Sequence, residues 1–143
     1  MILATASLAS RLVAAGGVII FLLGLVHLVY TFRGPKLHPR EAELEDRMKA
    51  VSPVMSHQTT MWKAWTGLNA SHGMGAMLFG LIYSYLPMHH GAFFFGLWFL
   101  PLLGAVFLAG YVFLARRYWF SVPYRCILLA AVLYAAGLIA AWG

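Results

Sequence analysis

Of the six histidines in this 143-residue chain, two, His27 and His72, sit inside long apolar runs, where an imidazole must find a partner and so becomes a candidate for chemistry. Around His72 the stretch from Trp62 to Gly75 is the densest polar cluster in the sequence. Trp65, Asn69, His72 and Ala76 recur at spacings of four, three and four, which places them on one helical face and lets Asn69 reach toward His72. Gly67, Ser71 and Gly75 form a second line at spacings of four, a small-residue face suited to close helix contact. His27 has Gly24 one turn before it and Thr31 one turn after. At 1.5 Å of rise per residue, His27 lies roughly 9 Å inside Arg33 and His72 about 13 to 14 Å inside Lys63. Two imidazoles at similar depth can face each other on neighbouring antiparallel helices.

Three kinds of chemistry fit that pair. Hydrogen bonds among His27, Asn69, Ser71 and His72 would fix helix packing, at about 0.6 to 1.7 kcal/mol each. A lipophilic pocket for a quinone, lipid or pigment would use imidazole and amide as anchors, with Trp62, Trp65, Phe79 and Tyr83 as walls. A b-type haem would take His27 and His72 as axial ligands. No carboxylate, lysine or arginine is expected near the bilayer centre, which argues against an ion-coupled pump. No other metal site is expected. His38 with Glu41, Glu45 and His57 matches no ligand spacing, and Met88, His89 and His90 are adjacent in a turn. Arg116, Arg117, Tyr118, Trp119 and Arg125 form an interfacial anchoring belt, or a clamp for lipid headgroups and phosphate. The single cysteine, Cys126, cannot form an internal disulfide.

The elements that position these residues follow from composition. The chain is 62% hydrophobic and 10% charged, more apolar surface than a water-soluble fold of this size can hide. Four apolar runs are long enough to cross about 30 Å of hydrocarbon: residues 12–32, 61–86, 92–115 and 122–142. Small residues precede the first run rather than follow it, so it reads as a helix and not as a cleaved signal. All four must be helical, because lipid cannot satisfy open backbone. Nine of the ten basic residues, Arg33, Lys36, Arg40, Arg47, Lys49, Lys63, Arg116, Arg117 and Arg125, fall on one side, against Arg11 on the other. That bias makes the first and third loops cytoplasmic and leaves both termini outside. The net charge of +6 then answers to anionic lipid rather than nucleic acid. Within the loop 33–60, residues 39–51 are predicted to form an amphipathic interfacial helix. Leu44, Met48, Val51 and Met55 lie on one side, Glu43 pairs with Arg47 and Glu45 with Lys49, Pro39 sits in its first turn and Pro53 ends it. The predicted fold is a single all-α membrane domain over 1–143, a four-helix up-down bundle.

The second-run pattern Trp-x-x-Trp-x-Gly-x-Asn-x-Ser-His, with the later Arg-Tyr-Trp-Phe-x-x-Pro at Arg117 to Pro123, resembles a family of small bacterial four-helix inner-membrane proteins. The resemblance covers most of the chain, implies the topology and a bacterial inner membrane, and brings no catalytic residue with it. The expected function is a non-catalytic accessory or structural component of a homo-oligomer or larger membrane complex, able to hold a lipid, quinone or pigment near His27 and His72. The alternatives are a haem- or quinone-binding redox protein using the same histidines, and a small membrane enzyme acting on a lipophilic substrate at the cytoplasmic face.

Overall fold

The computed structural model describes residues 7–143, and every regular element among them is helical. Residues 1–6, the amino-terminal end that the charge bias assigns to the outer side, lie outside the described residues. The elements are α1 (Leu8–Phe32), α2 (Ala42–Ala50), α3 (Met61–His89), α4 (Gly91–Gly96), α5 (Phe99–Tyr118) and α6 (Ser121–Trp142). Helices α1, α5 and α6 are long and apolar enough to cross a membrane. At most 33% of the apolar window in each is buried, so their outward faces need an apolar solvent, which lipid supplies. Helix α3 has the length, at 29 residues. Its first half, however, carries Lys63, Thr66, Asn69, Ser71 and His72, and it falls outside that apolar set.

Three boundaries differ from the sequence expectation, each for a local reason. Residues 92–115 do not form one helix: the chain is extended at Leu97, between α4 and α5. In an unbroken helix the Pro101 ring would strike the carbonyl four residues back, which is that of Leu97; starting α5 at Phe99 puts Pro101 in the first turn, where its missing N–H costs nothing. Helix α3 runs through Pro87 to His89 instead of stopping at Leu86; proline removes its own N–H bond, but the last turn still closes, with the His90 N–H donating to the Leu86 carbonyl at 2.7 Å. Helix α2 begins at Ala42, so Pro39 precedes it. The segment before it turns instead, with Gly34 at φ 78° and the His38 N–H donating to the Pro35 carbonyl at 3.1 Å. The helix ends at Val51, whose N–H donates to the Arg47 carbonyl. The carbonyl of Val51 accepts from the Met61 N–H at 2.9 Å, tying the loop to the start of α3.

The chain divides into two compact units, Met1–Leu23 with Ala76–Gly143, and Gly24–Gly75. In the first, Val13, Ile20, Phe79, Tyr83, Phe94, Leu108, Ala130 and Tyr134 form the buried core. Phe79 stacks on Tyr83 and Phe107 at ring distances of 4.3 and 4.6 Å. The hydroxyls of Tyr83 and Tyr134 each donate at 2.9 Å, to the carbonyls of Leu100 and Pro101 respectively, and so fasten the start of α5. Glycines set the helix contacts. A Cβ on Gly80 would lie 2.5 Å from the Phe21 amide nitrogen and 2.6 Å from the Gly17 carbonyl oxygen. One on Gly137 would lie 2.9 Å from the Ala9 carbonyl oxygen.

The second unit holds the end of α1, the loop with α2, and the start of α3. A Cβ on Gly73 would come 3.0 Å from the Gly24 carbonyl oxygen and 3.2 Å from the Leu28 Cβ. The small-residue line expected to carry packing is elsewhere: Gly67 and Gly75 have nothing within 4 Å of an added Cβ, and Ser71 is exposed. Of the α3 glycines, Gly73 and Gly80 are the ones that meet backbone of α1.

Gly80→Ala should therefore destabilise the detergent-solubilised protein by about 1 to 3 kcal/mol, the usual penalty of overpacking. Gly110→Ala, with nothing within 4 Å of the new Cβ, should leave the unfolding midpoint unchanged or slightly raised. Thermal unfolding followed by circular dichroism compares the two directly.

Candidate functional site

The site residues gather in the Gly24–Gly75 unit. Asn69 is its link, because both ends of its amide are used. Its Nδ2 donates to the Trp65 carbonyl at 2.8 Å, which turns Oδ1 toward His27 Nε2 at 3.0 Å. A carbonyl oxygen only accepts, so the hydrogen of this bond is on Nε2 of His27. His72 meets His27 edge-on, with ring centroids 5.0 Å apart and planes at 73°. The close approach of α1 and α3 at Gly24 and Gly73 brings these rings together.

Beside Asn69, a shallow open cleft enclosing about 10 Å³ is lined by Thr31, Leu37, His38, Trp62, Trp65, Thr66 and Asn69. Its walls are built by short-range bonds. Thr31 and Thr66 donate to the carbonyls one turn back, of His27 and Trp62, each at 2.9 Å. The Trp65 indole N–H donates to the Leu37 carbonyl at 3.1 Å and pins the loop over α3. The loop adds a polar chain of its own. His38 Nδ1 lies 3.0 Å from Glu45 Oε2, and Lys49 Nζ lies 2.6 Å from Glu45 Oε1. His38 stands edge-on to Trp62 at 4.9 Å, and the Lys49 ammonium lies 5.6 Å from the centroid of the same indole. The bond from Lys49, and secondarily that from His38, holds the Glu45 carboxyl below its ordinary range, while Glu45 raises Lys49.

Comparison of the chain with family models, curated proteins and solved structures finds no match. Its chemistry therefore has to be read from the geometry.

The expected site residues separate. His27, Trp62, Trp65, Asn69 and His72 come together. Ser71 does not, since its hydroxyl donates to the Leu68 carbonyl at 3.0 Å on the exposed side of α3. Tyr83 and Phe79 belong to the aromatic core of the other unit. Arg116, Arg117, Tyr118, Trp119 and Arg125 also lie there, exposed at the end of α5 and the start of α6, with the Arg117 guanidinium 5.9 Å from the Tyr118 centroid. Glu43 and Arg47, expected to pair, are not within ion-pair distance, whereas Glu45 and Lys49 are. The residues that sequence reasoning missed are Thr31, Leu37, His38 and Thr66. The i,i+4 spacing of Glu45 and Lys49 was visible in the sequence; what brings His38 to Glu45 is the turn at Gly34 to Pro35, which no periodicity reports.

Haem does not fit between His27 and His72. With metal–nitrogen bonds of roughly 2 Å on either side, axial imidazole centroids stand about 6 Å apart, farther than the 5.0 Å here. Nε2 of His27 is also bonded to Asn69, and the helices touch at Gly24 and Gly73, leaving no slot for a porphyrin. Among the described residues, no group of three or more His, Cys, Asp or Glu side chains could hold a metal ion.

Because the folded-state pKa of Glu45 is depressed, the order it lends α2 is fully present above the ordinary carboxylate value and is lost as pH falls through the lowered one. Amide exchange across residues 42–50, corrected for intrinsic rate, should show protection near neutrality that falls in acid. Glu45→Gln should lower the protection at neutrality and remove that pH dependence.

Proposed function

We propose that this protein is a small integral membrane component that holds the headgroup of a lipophilic molecule in the cleft beside Asn69 and packs against further copies or partner subunits through α3. One observation carries the reading. In a chain this apolar, Thr31 of α1, His38 of the loop, and Thr66 and Asn69 of α3 line one open cleft. The space it encloses is about 10 Å³, room for about one water and far below the roughly 300 to 1,000 Å³ of sites that enclose a drug-sized ligand. A ligand would rest only its polar headgroup against the open mouth, its apolar tail staying in lipid, as a lipid, quinone or pigment would provide.

Membrane placement draws on several features. Four crossings, with α3 as the fourth, leave nine of ten basic residues on one side, the cytoplasmic side of a bacterial inner membrane. Helix α2 buries no residue. Its Glu45 side chain is 18% exposed while Leu44 beside it is 48% exposed, and Val54 and Met55 beyond it are fully exposed. An apolar face turned outward at the end of a span suits the headgroup region of a bilayer. Arg116, Arg117 and Arg125, flanked by Tyr118 and Trp119, suit the same level. The open line of Gly67, Ser71 and Gly75 on α3 is a face that a helix of another copy can approach closely.

Extraction in native nanodiscs followed by mass spectrometry should find one class of lipophilic molecule enriched over bulk membrane lipid, and Asn69→Leu should lose it. Equal recovery from both proteins would remove the cleft from the account. For the crossing, single cysteines in a Cys126→Ser background should label from opposite sides with a membrane-impermeant maleimide when placed at His57 and at Met88. Labelling of both from one side would mean that α3 does not cross.

A further inference from the structure

Away from the cleft, unbalanced charge gathers where α5 turns into α6. The unit made of Met1–Leu23 and Ala76–Gly143 contains four arginines, Arg11, Arg116, Arg117 and Arg125, and no Asp or Glu, because all four acidic residues of the chain fall in Gly24–Gly75. Three of those arginines lie at one end of the hairpin. Helix α5 ends at Tyr118 and α6 starts at Ser121 after only Trp119 and Phe120, and the two helices pack against each other. At 1.5 Å of rise per residue, Arg116 and Arg117 lie within about 3 Å of the end of α5, and Arg125 lies about 6 Å in from the start of α6. All three are exposed, and the ion pairs among the described residues are made by Glu45.

The backbone does not offset that charge. The C-terminal end of α5 and the N-terminal end of α6 meet here, and their dipoles, equivalent to about half a charge each and opposite in sign, cancel. The Arg117 guanidinium stands 5.9 Å from the Tyr118 centroid, at the outer limit of a cation–π contact, and that contact uses none of its N–H donors. A guanidinium donates and never accepts, and its planar fork matches the oxygens of a phosphate. One turn deeper in each helix the same faces change character. Phe113, four residues before Arg117, is 66% exposed, and Leu129, four residues after Arg125, is 52% exposed; residues four apart share a helical face. Phosphate at the arginines with hydrocarbon below is the profile of a membrane lipid. A nucleic acid or a phosphopeptide has nothing apolar to set against Phe113 and Leu129.

We propose that the α5–α6 end is a binding site for an anionic membrane lipid carrying two phosphates, its headgroup held by Arg116, Arg117 and Arg125 and its acyl chains lying along Phe113 and Leu129. This site is separate from the cleft and stands without it. The preference for two phosphates follows from charge. One phosphodiester leaves two of the three guanidiniums unmatched, whereas a diphosphatidylglycerol, with two phosphodiesters joined by one glycerol, leaves only one.

The test offers the full chain, in a mild non-ionic detergent, equal amounts of diphosphatidylglycerol, phosphatidylglycerol and phosphatidylcholine with the same acyl chains, and native mass spectrometry reads the lipid retained. The expected order is diphosphatidylglycerol, then phosphatidylglycerol, then phosphatidylcholine. Arg125→Gln should weaken retention of the first about fivefold, and adding Arg116→Gln and Arg117→Gln should weaken it further. Replacing the exposed loop residues Arg33, Lys36 and Arg40 by Gln removes as many charges and should leave retention nearly unchanged. If the glutamine variants fail to fold, Lys at the three arginine positions keeps the charge but loses the fork, and should retain less lipid than the parent chain. Equal loss from the loop variant and from the triple arginine variant would mean that net charge alone draws the lipid, and the site is wrong. Release of the lipid by millimolar glycerol phosphate would make it a soluble-anion site and overturn the lipid assignment. Equal retention of phosphatidylglycerol and diphosphatidylglycerol would overturn the two-phosphate preference.

Discussion

Backbone contact between α1 and α3 at Gly24 and Gly73 is the constraint on which the candidate site depends. With a Cβ on Gly73 only 3.0 Å from the Gly24 carbonyl oxygen, any side chain there would push the helices apart by a few tenths of an ångström or more. The adjacent His72 and the His27–Asn69 bond at 3.0 Å have little slack to absorb such a shift. In lipid no water waits to take over a broken bond, so losing the His27–Asn69 bond would cost about 1 to 3 kcal/mol. The glycine therefore acts on the polar cluster from outside it.

Tyrosine does comparable work in the other unit. The break at Leu97 opens backbone between α4 and α5, and broken helices survive in an apolar medium only where neighbours satisfy the backbone. Tyr83 and Tyr134 reach the carbonyls of Leu100 and Pro101 with their hydroxyls while their rings fill the core. Gly104 makes this possible, because a Cβ there would run into the Tyr134 hydroxyl and the Tyr83 ring. Tyr83, which looks like a pocket wall in a linear reading, is in this way a structural post for a helix start, as is Tyr134.

The helical class, the end of α1, the extent of α6 and the meeting of His27 with His72 were legible because they follow from run length and helical geometry. The start of α1 was not, since it lies at Leu8, four residues before the expected 12, and Asn69, expected to reach toward His72, accepts from His27 across the helices. The packing register was not. Gly67, Gly73, Gly75 and Gly80 all offer small faces on α3, and which of them touches depends on where Gly17 and Gly24 fall on α1. The matching seven-residue separations, 17 to 24 and 73 to 80, were the available signal. The break before α5 was also encoded, in the distance from Pro101 back to Leu97, but a hydropathy run does not register a lost donor. His38 was illegible for a different reason: its approach to Glu45 passes through a non-helical turn with a positive φ at Gly34, and irregular backbone leaves no period to read.

The orientation of α2 joins the fold to the proposed membrane placement. In water, an amphipathic helix beside a protein would turn Leu44 inward and Glu45 outward; here the leucine is the more exposed of the two. The contacts of Glu45 and Lys49 with His38 and Trp62 lie at the exposed surface, where screening by water keeps such pairs weak, too weak to hold an apolar face against water. In the proposed interfacial placement an apolar medium receives Leu44, Val51, Val54 and Met55 on the outside, and the bilayer that solvates the spans would also favour turning the Glu45 carboxylate toward His38.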